Sequence, residues 1–364
     1  MRFYARDIPA QGSPVYAALC ASLAEDADRA RIILRAPPAF HTPLILLAAV
    51  HHLLLSGADG ALGEYYATVA GDGARPVDDA LYPTFATFLD AHRSELEALV
   101  ATHTTQTNEA RRTVVTLPAL GLVAGERGLP LALLEVGASA GLNLLVDRFG
   151  FRIGPVEAGM AASGVHLDCE VRGDLLPPVP TSVSVAWRLG VDLNPLDARD
   201  PDTRAWLRAL VWPEHRDRMA VLDAALAIAE LHPPPLVRGD LTTDLPELGA
   251  SAPGASALVV VSTWVLAYVT PSLRHTFVGE LRQLAAERGA DVWLVVGEGQ
   301  SILGSLGLGL TDEPPDGYGP SMLALCRFRP DGSDESRLLA ECHAHGRWIR
   351  WLDAATAVPA GEPA

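Results

Sequence analysis

The chain has 364 residues, 49% of them apolar and 20% charged, values that belong to a globular protein with a large core and exclude a disordered one. The formal net charge is −16, so the surface has no general attraction for phosphate backbones and nucleic acid is not expected as a partner. All 28 basic residues are arginine; without lysine there is no Schiff-base chemistry and no P-loop.

Cys20, Cys169, Cys326 and Cys342 form no C-x-x-C pair, which points to free, mostly buried thiols rather than a zinc ribbon. The opening MRFYARDIPAQGSP does not read as a signal peptide. The longest apolar stretch, Pro43 to Leu55, is broken by His51 and His52 and is too short to span a bilayer. No membrane partner and a cytoplasmic location are therefore expected. His51 and His52 fall on different helix faces and read as structural.

Residues 1–125 read as a helical N-terminal cap. Ser13-Pro14 and Thr42-Pro43 each place a capping residue before a proline that starts a helix. From Phe85 the apolar residues recur at 85, 88, 89, 96, 99 and 100, a helical spacing. Residues 126–364 read as an α/β domain. Short apolar runs at 131–136, 185–192, 235–239, 257–262 and 291–297 alternate with helical segments, which predicts a doubly wound parallel sheet. Runs at 321–328 and 337–343 flank only the turn Pro330-Asp331-Gly332 and predict a closing hairpin. Residues 150–184, with one alternating run at 165–171, predict a β-arm inserted into this domain.

The stretch LLEVGASAGLN, residues 133–143, fits two chemistries. Gly137-Ala138-Ser139-Ala140-Gly141 is a G-x-S-x-G elbow with Ser139 as a hydrolase nucleophile, for which His343 or His345 would be the base. Alternatively Glu135, Gly137, Ser139 and Gly141 form a glycine-rich loop after a first strand, followed by a helical segment from Leu142. In the second reading GVDLNP puts Asp192 at the end of the next strand and VRGDL puts Asp240 and Leu241 after the third. VVVSTWVLAY puts Ser262, Thr263 and Trp264 after the fourth. These are carboxyl ends of successive strands, where open α/β sheets bind ligands.

With those stations in order, residues 131–353 resemble class I S-adenosylmethionine-dependent methyltransferases, a Rossmann-like fold. The whole chain is also similar to an uncharacterised domain family of high-GC bacteria, through TQTNEARR, LLEVGASAGLNLLVDRFG, DLNPLDARD, RALVWPEHRDR, PPPLVRGD, TWVLAY and HAHGRW. The first resemblance implies S-adenosylmethionine as cofactor, held by Glu135, Gly137, Ser139, Gly141, Asp192, Asp240, Leu241 and Ser262. It implies methyl transfer to a small molecule. The loop departs from the usual pattern at Ser139, where glycine is commoner, and Asp192 lies over fifty residues past the loop. About 20 is usual for a ribose-binding acid.

For the acceptor side, the polar run THTTQTNE offers Gln106, Asn108 and Glu109 as a lid with directional hydrogen bonds and a base. A solvated helix start, with Glu109 and Arg112 as a surface pair, is the plain alternative. Trp264 and Tyr268 are candidate pocket walls. His343 and His345, alternating on a strand, would face one side as a base; no metal is expected. No NPPY-like segment follows the fourth strand, which points away from amide and nucleobase-amine acceptors. A serine hydrolase or a non-catalytic cofactor-binding module remain alternatives.

Overall fold

A computed structural model of the chain describes residues 12–58, 60–106, 108–311 and 320–358. The opening MRFYARDIPAQ lies outside them. They divide into two compact units, one holding the chain up to 107 with Arg199–Asp223, the other Asn108–Ala198 with Ala224 onward. The helix Thr113–Arg127, read from sequence with the N-terminal part, is counted in the second unit.

The first unit is helical. Ser13 caps the helix Pro14–Leu23 by accepting the N–H of Tyr16 at 3.3 Å, with Pro14 in the first turn. Pro43–Leu55 is buried along most of its length. Leu81–Ala91 and Arg93–Thr102 realise the spacing seen from Phe85, with a break at His92. His51 is buried, and both ring nitrogens are engaged, with Ala209 O at 3.1 Å and Thr68 Oγ1 at 2.7 Å. It is a structural histidine, as its helix position suggested. Among the described residues, no helix is long and apolar enough to cross a membrane.

The second unit is mixed α/β with a large, mostly parallel sheet. Its strands are β1 (Leu131–Val136), β2 (Gly150–Ile153), β3 (Val156–Gly159), β4 (His166–Val171), β5 (Val185–Asp192), β6 (Leu236–Arg238), β7 (Ala257–Thr263), β8 (Val292–Gly299), β9 (Ser321–Phe328), β10 (Asp334–Cys342) and β11 (Trp348–Trp351). The order is β3-β2-β4-β11-β10-β9-β8-β7-β1-β5-β6. Within 150–184 lie β2, β3 and β4, and β4 joins the sheet through β11.

β1, β5, β6, β7 and β8 are mutually parallel. The chain enters at β1, steps outward to β5 and β6, then returns to β7 and β8 on the other side. The order of strands along the sheet therefore reverses between β1 and β7, both strands remaining parallel, and open α/β sheets bind ligands beside the carboxyl ends at such a point. β1 and β7 are buried at every position, Glu135, Ser262 and Thr263 included, as central strands of a parallel sheet are. Leu134, Val136, Val260 and Val296 pack with Phe277, Leu281 and Leu284 of the helix Pro271–Arg288. The opposite face carries Leu133, Glu135, Val261 and Thr263 and meets Thr116 and Leu120 of the helix Thr113–Arg127.

Three local expectations change. The segment after the glycine loop, Leu142–Arg148, forms 3-10 turns with a kink at Leu145 rather than an α-helix. It has to deliver the chain to β2 at Gly150, too soon for a regular helix. β10 ends at Cys342, so His343 and His345 sit in the turn before β11 rather than alternating along a strand. Gly346, with φ 64°, turns the chain there. Tyr268 is 84% exposed and walls no pocket.

Candidate functional site

The carboxyl end of β1 is built by two glycines that tolerate no side chain. Gly137 (φ 66°) and Gly141 (φ 70°) are left-handed. A Cβ on Gly137 would lie 2.4 Å from Val265 Cγ2, and one on Gly141 2.7 Å from Pro234 Cγ. Ser139 between them is also left-handed, at φ 52°, a conformation that costs about 1–2 kcal/mol for an L-residue. The turn is held from β5. Asp192 Oδ2 accepts the Ser139 N–H at 2.8 Å, and Oδ1 accepts the Asn194 N–H at 2.7 Å.

Glu135 is buried, and one carboxylate oxygen accepts from Asn143 Nδ2 at 2.8 Å. The other oxygen, Asn143 Oδ1 and the Ser139 hydroxyl are buried without a hydrogen bond. Burial pushes the Glu135 carboxyl up to about 8, against the opposing effects of Asn143 and the Arg112 charge. A small cavity, about 10 Å³ and so room for roughly one water, lies among Glu135, Asn143, Arg112, Thr116 and Thr263.

The segment before the helix Thr113–Arg127 closes this end of the sheet. Asn108 is buried, and its Oδ1 accepts the Leu142 N–H at 3.0 Å, at the loop's end. Glu109 is 5% exposed; it accepts the Arg111 N–H at 3.3 Å and its Oε2 lies 3.7 Å from His345 Nδ1. Arg112 donates to Thr263 O at 3.0 Å and Ala344 O at 3.4 Å, and its guanidinium lies 5.0 Å over the Trp264 ring. Glu109 and Arg112 are thus not the surface pair of the plain alternative: one turns to the histidine turn, the other to the end of β7. Gln106 lies in the first unit, half-buried, and accepts from Thr104 Oγ1 at 3.2 Å.

Ser262 is fully buried, on the face of Val136 and Val296 and therefore opposite Glu135. Its hydroxyl makes no hydrogen bond. Asp240 turns on its own loop, accepting from Thr242 N at 2.8 Å and Thr242 Oγ1 at 2.7 Å, while Leu241 packs against the sheet's apolar cluster.

Glu298 and Asn143 are not singled out by the sequence, and Arg112 enters there only as a surface partner of Glu109. Glu298 ends β8, fully buried, and its Oε1 accepts the N–H groups of Val265 and Leu266 at 2.6 and 2.7 Å. It holds the turn on which Trp264 sits at φ 54°. Burial pushes this carboxyl up to about 7, opposed by those two backbone donors and by Arg112 and Arg274. The run VVGEG carried the signal: an acid within two residues of a glycine at the end of an apolar strand, as in LLEVG. Arg112 acts electrostatically on both sheet-end carboxyls.

The four cysteines are free and buried, as expected. No cluster of metal-ligating side chains occurs among the described residues. No curated protein matches the chain. Residues 1–351 match the family described as "Uncharacterized protein conserved in bacteria (DUF2332)", and the chain belongs to that family.

Proposed function

We propose that the protein transfers a methyl group from S-adenosylmethionine to a small-molecule acceptor, on a domain of Rossmann-like methyltransferase type. The observation that carries this reading is Asp192 bound to the backbone of Ser139, at the carboxyl ends of β5 and β1 and beside the point where strand order reverses. An acid at the end of the second parallel strand, joined to the loop after the first, is what a ribose-bearing ligand requires. A carboxylate accepts more than two hydrogen bonds, so Asp192 can serve its own loop and a pair of hydroxyls.

The residues fit such a ligand. The fit rests on polar atoms: Glu135 Oε2, Asn143 Oδ1 and the Ser139 hydroxyl are buried at the loop without partners, whereas the space beside Gly137 and Gly141 is filled by Val265 and Pro234. The loop 137–141 would hold the methionine part, Asp192 the ribose, and Asp240 with Leu241 the adenine. The cofactor supplies an electrophilic methyl group on a sulfonium centre. The chain's task is then to position the acceptor and exclude water. Calorimetric titration of the full chain with the cofactor and its demethylated product tests the reading.

One observation favours a second reading, a serine hydrolase. Ser139 is held in a left-handed turn, as an elbow nucleophile is. Against it, the Ser139 hydroxyl is buried and hydrogen-bonds to no base.

A further inference from the structure

Glu109 and His345 are 236 positions apart in sequence and are brought together by two local constraints. Glu109 belongs to the short segment 108–112 whose ends are pinned. Asn108 binds the end of the glycine loop at Leu142, and Arg112 binds the end of β7 at Thr263. His345 belongs to the turn between β10 and β11. That turn is pressed onto the same segment: a Cβ on Gly346 would lie 2.3 Å from Arg111 O, and Arg112 binds Ala344 O. The His345 backbone N–H donates to His343 Nδ1 at 3.0 Å, which fixes the turn internally.

The orientation of the ring is chemically directed. Nδ1 is buried 3.7 Å from Glu109 Oε2, near enough for an ion pair and too far for a hydrogen bond, while the side chain as a whole remains 23% exposed. A carboxylate on the Nδ1 side favours a proton there and leaves Nε2 as the basic nitrogen. The Glu109 carboxylate lies 3.7 Å from the ring's Nδ1, and the His343 ring of the same turn lies 5.7 Å away, centroid to centroid.

We infer that Glu109 and His345 form an acid–base pair that takes the proton of a hydroxyl acceptor, so that the acceptor class is an alcohol or phenol. This rests on the proposed methyl transfer. The acceptor O–H bond breaks and its proton passes to Nε2 as the oxygen–methyl bond forms; the sulfur–methyl bond breaks, and its electron pair stays on sulfur. A hydroxyl is a poor nucleophile until it loses its proton, whereas a neutral amine needs no base to attack. A carboxylate-backed imidazole is therefore an arrangement matched to oxygen rather than nitrogen.

The test has two readouts. The first uses no cofactor: the pH dependence of His345 carbethoxylation by diethyl pyrocarbonate, read by peptide mass spectrometry. In Glu109→Gln the midpoint shifts down by about one pH unit or more, because a neighbouring negative charge that favours the imidazolium is lost. The second is transfer of labelled methyl from S-adenosylmethionine to matched sets of phenols, alcohols and amines. Transfer goes to hydroxyls, and His345→Gln lowers kcat about 10²–10⁴-fold near neutral pH while cofactor affinity is kept. An unmoved midpoint in Glu109→Gln, full activity in His345→Gln, or transfer confined to amines overturns the pair while leaving methyl transfer standing. Failure of the full chain to bind the cofactor overturns the underlying reading, and the pair's role with it.

Discussion

Asp192 and Ser139 are joined by a 2.8 Å hydrogen bond from the serine backbone to the aspartate carboxylate, 53 positions apart in sequence. The bond ties the end of β5 to the glycine loop after β1. It makes the loop's shape a property of the sheet rather than of the loop alone. The glycines on either side of Ser139 let Val265 and Pro234 pack directly against the loop backbone.

Gly137→Ala should be severely destabilising. Its Cβ would meet Val265 Cγ2 at 2.4 Å in a backbone conformation at φ 66°. A loss of about 2–4 kcal/mol is expected from overpacking and strain together. Urea denaturation of Gly137→Ala and of the Gly137→Ala, Val265→Ala double variant checks the cause. The double variant should cost less than the sum of the two single changes, because the two sites are in contact. Strict additivity would show that the clash is not the reason.

Ser139 should not react as a nucleophile. Its hydroxyl is buried and has no base, so an alkyl fluorophosphonate should leave it unlabelled by peptide mass spectrometry. Ser139→Ala should keep the fold and most of any cofactor binding. A covalent adduct on Ser139 would move the assignment to the hydrolase.

Stability should fall as pH rises through the range set by the sheet-end carboxyls. Glu298 ionises ordinarily at 4.5 and in the fold at about 7; Glu135 moves from 4.5 to about 8. Between these values the folded state binds more protons than the unfolded one, so the slope of unfolding free energy with pH is negative. Glu298→Gln keeps an oxygen for the Val265 and Leu266 N–H groups but carries no proton to lose. Relative to this variant, the wild type should lose about 3 kcal/mol as pH rises from well below 4.5 to above the folded value of about 7. Chemical denaturation at closely spaced pH values reads the difference. Parallel profiles would show that Glu298 is already ionised in the fold.

The central strands were legible because β1, β7 and β8 are mostly apolar runs buried on both faces, whereas β5 and β6 are only partly buried. The loop after β1 was legible because Gly137 and Gly141 take left-handed backbone angles that favour glycine. The 3-10 turns at Leu142–Arg148 were not, because their cause is non-local: β2 begins at Gly150 and pairs with β4. The histidine turn was misread as strand because the alternation Cys342-His343-Ala344-His345 mimics one, and only Gly346 marks the break. Arg112 was hidden for another reason. Its partners are backbone carbonyls of Thr263 and Ala344, and a carbonyl acceptor leaves no trace in side-chain pattern. Glu109 and His345 meet through tertiary packing, which no spacing rule contains.

The most direct measurement is isothermal titration of the full chain with S-adenosylmethionine and with its demethylated product, repeated on Asp192→Ala. The account predicts saturable one-site binding of both by the wild type. It predicts about ten- to hundredfold weaker binding by the variant, the loss of a charge-assisted hydrogen bond, with the variant's fold intact by circular dichroism. Absence of saturable heat from either ligand, or equal affinity in Asp192→Ala, would contradict it.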